Sequence, residues 1–409
     1  MKIGSKLSDK IDLITLLAVG ILLVIGILAI YSATFNTVYE KGNFIKQLIA
    51  LGLSVILFIV IYSIPHTFFK DFSYPLYAFG IFTLVLVLII GRTVGGAKAW
   101  IAFGPFSYQP AEFAKLFTIM AIAKFLSDEN RDIENLKDLG ITLGIGLAPI
   151  LLILLEPDLG SALVFMGFLI TLIFWKGMSL FTLFLVLGPP VVIVASLFGI
   201  YYTLGAFVLI IALLFYFKKD LFFSSAILAV NFASAFFVDY LFHILKPHQR
   251  SRILSFIDPN SDPLGAGYNA IQAQIAIGSG GLLGKGFMQG NQTQLQYIPK
   301  QWTDFIYCVI GEEFGFAGSF LVVILFTVIS FRIVKLASAT KDPFLSLLLS
   351  GIFAIFFIHF SINVGMTIGM MPVIGIPLPF VSYGGSSLLS NTLMLAIYMN
   401  IYRSRKEFS

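Results

Sequence analysis

The chain is poor in charge and almost without cysteine. Asp, Glu, Lys and Arg supply 11% of its 409 residues, where a soluble domain carries about 25%. By contrast 58% of the residues are hydrophobic and the mean hydropathy is +0.95. These figures exclude a soluble globular protein and describe a polytopic membrane protein of all-α class. A single cysteine, Cys308, stands in an apolar run, which rules out a disulfide framework and a cysteine-based metal site and leaves it as a small core residue. The formal net charge of +5 is no sign of nucleic acid, because it must first be divided between two membrane faces. The first apolar run lacks a small-residue cleavage site and is read as a retained anchor. No internal repeat is evident, as an inverted-repeat transporter would have. The Gly-rich GSGGLLGKG has no Gly five residues before Gly284 and has Gly286 where a Walker motif needs Ser or Thr, so it is not an ATP loop. No cofactor is evident, and a dependence on Mg or Mn ions is not readable.

What is there is a succession of apolar runs, roughly 11–32, 43–63, 73–91, 110–126, 139–155, 160–176, 181–199, 203–218, 222–245, 305–331, 344–365 and 384–402. Most approach the ~20 residues that a helix needs to cross the hydrocarbon layer, which predicts about twelve spans. Placing Lys2, Lys6 and Lys10 in the cytoplasm puts Lys70, Arg131, Lys137, Lys176, Lys218, Lys219, Arg332, Lys335 and Lys341 there too, with Arg403, Arg405 and Lys406 of the tail. That is the positive-inside pattern. The same count leaves the long polar stretch 246–304 outside the cytoplasm, although it is basic itself.

Polar residues in or beside the spans mark the candidate site, since a charge in a span costs ~2.5–3.5 kcal/mol on insertion scales. Glu112 and Lys115 follow Pro110 at the start of the fourth run and share one helical face. They are either a self-neutralising interfacial pair or part of an internal cavity. Glu156 and Asp158 flank Pro157 at the outer end of the fifth run. In the long loop, Lys246, His248, Arg250 and Arg252 gather at the membrane surface, a cluster suited to phosphate or to anionic headgroups. Asp258 and Asp262 each precede a proline and so favour turns, and residues 268–277 read as a short interfacial helix. Thr303 and Asp304 are candidate caps for the tenth span. Glu312 and Glu313 fall inside its apolar run, and pairing or function is their default role. The stretch 363–387 is rich in Pro and Gly and carries no charge. Irregular backbone at that depth must line protein or a wet cavity, so it is expected to border a groove with the long loop.

The motifs DPNSDPLGAGYNAIQAQIAIGSGGLLGKGFMQGNQTQLQYIP, TDFIY, VIGEE, QPAEFAKL, EPDLGSAL and GMMPVIGIPLPFVSYGGSS together resemble the SEDS family of peptidoglycan glycosyltransferases, RodA and FtsW, and are closer to its RodA branch. Lys300 and Trp302 stand where the family commonly has an acidic residue and a His, and Ala273 where Ser is frequent. The resemblance implies ten family spans, so the segment 178–220 becomes a two-helix insertion in an otherwise single membrane domain, and 246–304 becomes the catalytic extracytoplasmic loop. It implies polymerisation of lipid II on the growing lipid-linked glycan, with Asp262 as general base. Lys115, Arg250 and Arg252 are then candidates for the pyrophosphates, with Glu112, Asp158, Asp304 and Glu312 behind them. It also implies a class B penicillin-binding protein as partner, within the membrane lipids of the bacterial inner membrane. The small residues Ala226, Ala229, Ser234 and Ala235 could receive its helix, but they lie by the insertion, so the helix is expected around 344–402. A lipid flippase and a non-catalytic scaffold are the competing readings.

Overall fold

A computed structural model describes residues 10–36, 41–104, 106–217, 221–244, 250, 254–256 and 266–408. Each predicted apolar run contains a long helix, the tenth only after a break: α1 (Leu13–Phe35), α2 (Lys41–Ser63), α4 (Ser73–Ile90), α5 (Pro110–Leu126), α6 (Leu136–Leu155), α7 (Leu159–Trp175), α8 (Leu180–Leu197), α9 (Ile200–Phe217), α10 (Leu221–Ile244), α14 (Gly315–Ala339), α15 (Pro343–Thr367) and α16 (Gly385–Phe408). Short helices α3 (Thr67–Asp71), α11 (Ala266–Ser279), α12 (Asn291–Gln294) and α13 (Ile306–Glu313) fill connectors. Seven of the long helices are both long and apolar enough to cross a membrane, and shorter apolar ones such as Leu159–Trp175 stand among them. The protein is a helical polytopic membrane protein.

Helix α5 is the axis of the bundle, packed against α4, α6, α7, α15 and α16. Fourteen of its side chains are buried, Glu112 and Lys115 among them. A helix covered on all sides needs no amphipathic stripe, which is why its sequence reads as uniformly apolar. Pro110 opens it at a position where no backbone donor is wanted.

Two features depart from the sequence reading. The connector before α5 is a three-stranded antiparallel sheet, β1 (Arg92–Val94), β2 (Ala97–Phe103) and β3 (Phe106–Tyr108), with Arg92 opposite Trp100 and Ile101 opposite Tyr108. β1 and β3, of three residues each, are too short to show a period of two. The run 305–331 is also not one span: it breaks at Phe314, between α13 and α14, where Gly315 takes φ +66°.

The GSGGLLGKG turn fills that break. The N–H groups of Phe316 and Ala317, in the first turn of α14, donate to the carbonyls of Gly281 and Leu282 at 2.9 and 3.0 Å. On the other side Lys285 and Gly286 donate their N–H groups to the Glu312 and Glu313 carbonyls at 3.0 and 3.1 Å. One turn therefore satisfies the exposed ends of two helices, as non-helical backbone near lipid requires. The approach is so close that a Cβ on Gly284 would overlap the Glu313 carbonyl oxygen.

Helices α8, α9 and α10 pack chiefly on one another, around Val192, Ala206, Ile210, Leu214 and Ile227, apart from the main core. Cys308 is buried with Ala273, Ala276, Ile298 and Phe305 between α11 and α13.

Candidate functional site

The fourth-run pair is a buried ion pair with a third member. Lys115 Nζ lies 2.9 Å from Glu112 Oε1 and 3.0 Å from His359 Nε2, and the three side chains are 1%, 3% and 1% exposed. His359 Nδ1 faces the Pro377 carbonyl at 3.2 Å. A carbonyl can only accept, so Nδ1 carries the proton and Nε2 is left to accept from Lys115. An ammonium has three donors, and these two contacts occupy two of them. Glu112 Oε2 has no partner among the described residues.

His359 begins a buried polar row on α15, with Asn363 and Thr367 following at four-residue steps. Asn363 Nδ2 donates to the Asp304 carbonyl at 2.8 Å and to the Ile376 carbonyl at 2.7 Å. Tyr383 N–H donates to the Trp302 carbonyl at 2.9 Å. The uncharged loop 368–384 is thus pinned to the end of the long loop, as its composition predicted. The side chain of Asp304 accepts from Thr303 at 2.8 Å, while the N-cap of α13 is Phe305 without a side-chain cap.

The outer end of α5 is tied to α7 and α16. Gln109 Nε2 reaches Asp158 Oδ2 at 3.4 Å, and Asp158 caps α7 through Ser161 N–H at 3.0 Å. Ser386 Oγ accepts from Gln109 N–H at 3.1 Å and donates to the Ser107 carbonyl at 3.0 Å, while Ser390 Oγ donates to the Glu112 carbonyl at 2.7 Å. By the positive-inside topology α5, α7 and α16 all run inward, so their N-termini, with partial positive charge, meet at the outer face. Glu156 lies beneath β2, whose Lys98 N–H donates to its carbonyl at 3.0 Å. Its carboxylate is buried and neither oxygen has a partner among the described residues. Burial, reinforced by the charge of Asp158, pushes its pKa up to about 8.

Of the predicted site residues, Glu112 and Lys115 pair directly, Asp158 is tied to the start of the same helix through Gln109, and the Asp304 carbonyl is bonded by Asn363, one turn beyond His359. Glu312 belongs to a separate network. Its carboxylate accepts from Lys285 Nζ, Gln292 N–H and Thr293 N–H, each at 2.9 Å, and from Thr293 Oγ1 at 2.8 Å. Burial acts to raise its pKa, but these donors outweigh it and hold the group ionised below the usual range. Its neighbour Glu313 accepts from Ser32 of α1, so the pair braces the loop against the first span. Arg250 is described and half-buried, whereas Asp262, Arg252, Lys246, His248 and Asp258 lie outside the described residues. His359 and Asn363 were missed by the sequence reading. The signal was present, because a His and an Asn four apart in an otherwise apolar run are costly unless they serve a site.

Fold and site define a multi-pass helical membrane protein with a buried cation at the outer end of its central helix. The FtsW/RodA/SpoVE cell cycle protein model matches residues 13–204 and 185–407, and the chain belongs to that family. It is 34% identical over 403 residues to peptidoglycan glycosyltransferase MrdB of Escherichia coli K12, covering 98% of this chain and 95% of that one. It is 33% identical to peptidoglycan glycosyltransferase RodA of Treponema pallidum, with 96% and 97% covered. Among solved structures it resembles a chain of a peptidoglycan synthase complex that coordinates polymerization and crosslinking, at TM-score 0.73 and 28% identity over 96% of this chain and 97% of that one. It also resembles the rod shape determining protein RodA of Thermus thermophilus, at TM-score 0.63 and 26% identity over 96% of each chain.

Proposed function

We propose that this chain is an inverting peptidoglycan glycosyltransferase of the bacterial cytoplasmic membrane that polymerises lipid II during cell elongation, with both termini in the cytoplasm. The observation that carries the reading is Lys115, fully buried and paired with Glu112, in a chain that matches a glycosyltransferase along 98% of its length. A sugar 4-hydroxyl attacks the anomeric carbon of a second lipid-linked sugar, whose bond to undecaprenyl pyrophosphate breaks with inversion from α to β. Pyrophosphate leaves readily, so the site needs a base for the hydroxyl proton and cations for the departing charge, rather than the second carboxyl of a glycosidase. Asp262 is the base. Lys115, with one donor uncommitted among the described residues, and Arg250 and Arg252 hold pyrophosphate, aided by the converging helix N-termini. Glu112 and His359 fix the ammonium, Asp158 and Gln109 fix the ends of α5 and α7, and Asp304 anchors the loop to α15. The transpeptidase partner, a class B penicillin-binding protein, crosslinks the strand made here.

The test is polymerisation of labelled lipid II by purified protein, read as glycan length on a gel. Asp262→Asn keeps size and hydrogen bonding but removes the proton acceptor. A loss of ~10²–10⁴ in rate is expected, and near-normal synthesis would sink the assignment. A flippase would tolerate the change. Arg250→Ala is expected to weaken lipid II binding more than Lys335→Ala on the cytoplasmic side; equal effects would mean general membrane electrostatics.

A further inference from the structure

The outer third of α14 borders an apolar groove of about 390 Å3. Its walls include Gly278 of α11, Tyr307 of α13, Phe316, Phe320 and Val323 of α14, and Ile368 at the end of α15. The Phe316 and Phe320 rings stack at 5.5 Å and are 60% and 50% exposed, so the groove opens sideways on the surface that α14 turns to lipid. The Tyr307 hydroxyl is engaged with the Ser319 carbonyl at 3.3 Å. Among the described residues, no ionised group lines the cleft.

We propose that this groove holds the polyprenyl chain of a lipid-linked substrate whose headgroup sits at the polar site. The inference rests on the glycosyltransferase reading. Continuity supports it: Tyr307 lies three residues beyond Asp304, and Ile368 five beyond Asn363, whose amide bonds the Asp304 carbonyl. The groove thus begins within a few residues of the loop end that Asn363 ties to α15, and its described lining gives a hydrocarbon chain no charge to cross. Dimensions separate a hydrocarbon chain from a protein helix. From Phe316 to Val323 the wall runs for about 10 Å at 1.5 Å per residue, whereas a partner span is ~30 Å long and 10–12 Å wide. A cleft confined to the outer third fits the headgroup end of one chain.

Gly278 allows a direct test, because a Cβ added there meets nothing within 4 Å. Gly278→Phe fills the groove and leaves the polar residues in place, with Gly278→Ala as control. The whole protein in nanodiscs is assayed with undecaprenyl lipid II and with a short-chain analogue bearing the same headgroup. In parallel, the unsubstituted protein is photolabelled by a diazirine-bearing polyprenyl lipid and the labelled peptide is mapped. The expected result is a KM raised about tenfold for the long chain, the loss of roughly two buried methylenes, an unchanged KM for the short one, and label on residues 316–323. Equal effects on both substrates, or label confined to other helices, overturn the proposal. So does release of the co-purified transpeptidase with chain-length preference intact, which would assign the cleft to the partner. If the Phe variant does not fold, Val323→Trp replaces it and the labelling stands alone. Failure of the unsubstituted protein to polymerise either substrate would overturn the glycosyltransferase reading instead, and the label map would still decide the groove.

Discussion

At the scale of single residues, the question is whether Lys115 is there for substrate or only for Glu112. Removing one member of a buried pair strands the other and costs about 3–5 kcal/mol, whereas replacing both with neutral groups of similar volume is often harmless. Lys115→Met is therefore expected to lower both thermal stability and polymerisation. Lys115→Met combined with Glu112→Gln is expected to restore the melting temperature in detergent but not glycan synthesis. Recovery of both would reduce Lys115 to a structural counter-ion. Glu156 makes a second prediction. Its pKa is raised from 4.5 to about 8 in the folded chain, so between those values the folded state holds a proton that the unfolded state has lost. Stability must then fall as pH rises across that window, with a slope approaching ~1.4 kcal/mol per unit, and level off above it. Glu156→Gln is expected to remove this slope, so its advantage over the natural chain grows between pH 5 and pH 8 in thermal melts. A constant difference would mean that the carboxyl is already ionised. Lys115, Glu112 and Asp158 were legible in the sequence because charge next to apolar runs is conspicuous. His359 carried a signal too, a His in a span with Asn363 four residues on, but its partner did not: only the fold brings Lys115 to 3.0 Å from it.

At the scale of elements, the GSGGLLGKG turn shows how a motif can be seen and misplaced. Its glycines were recognised as unfit for ATP, but nothing in the pattern announced that α13 and α14 are separate helices needing a common cap. A break in an apolar run shows only through Pro, Gly or charge, and here Glu312, Glu313 and Gly315 stood at it without being read as a boundary. Gly284 has φ +81° and sits against the Glu313 carbonyl. Gly284→Ala is accordingly expected to destabilise the protein by about 3 kcal/mol or more, since both the dihedral and the contact resist a methyl group. Gly278→Ala is expected to be near neutral, since its Cβ meets open space. Fluorescence-detected melting of the two variants in detergent checks the pair, and equal melting temperatures would mean that the turn yields. The sheet before α5 was equally silent: β1 and β3 have three residues each, and the seven-residue β2 that pairs with both is itself tied to Glu156 through Lys98.

At the scale of the whole molecule, the spans were legible from hydropathy alone, but which of them face lipid was not. The partner helix was expected on the final two spans. Yet α16 has no exposed side chain among its described residues, and α15 exposes only Phe357 among its large hydrophobic side chains away from its ends. Packing between α2, α5 and α16 encloses that span, so it offers a partner no surface. The unit α8–α10 is the reverse case: it packs on itself, and α9 is exposed on most of its circumference, with Tyr201 and Phe215 at 85% and 78%. Those features support an insertion at 178–220, and topology turns it into a test. Removing α8 and α9 together, residues 180–217, joins Lys176 to Lys218 on the cytoplasmic side and leaves every later segment on its original face. Helix α10 persists as a span, because a helix in lipid satisfies its own backbone. This deletion is expected to keep lipid II polymerisation at close to the intact rate. Removing α8 alone, residues 180–198, leaves an even number of spans, eight instead of nine, before the long loop, which moves Asp262 and Arg250 into the cytoplasm or forces the positive-inside pattern to break. That variant is expected to be inactive, with a cysteine introduced at Leu283 no longer labelled by a membrane-impermeant thiol reagent applied from outside. Loss of activity in both deletions, with outside labelling kept in the first, would show that the pair belongs to the catalytic body rather than to an insertion.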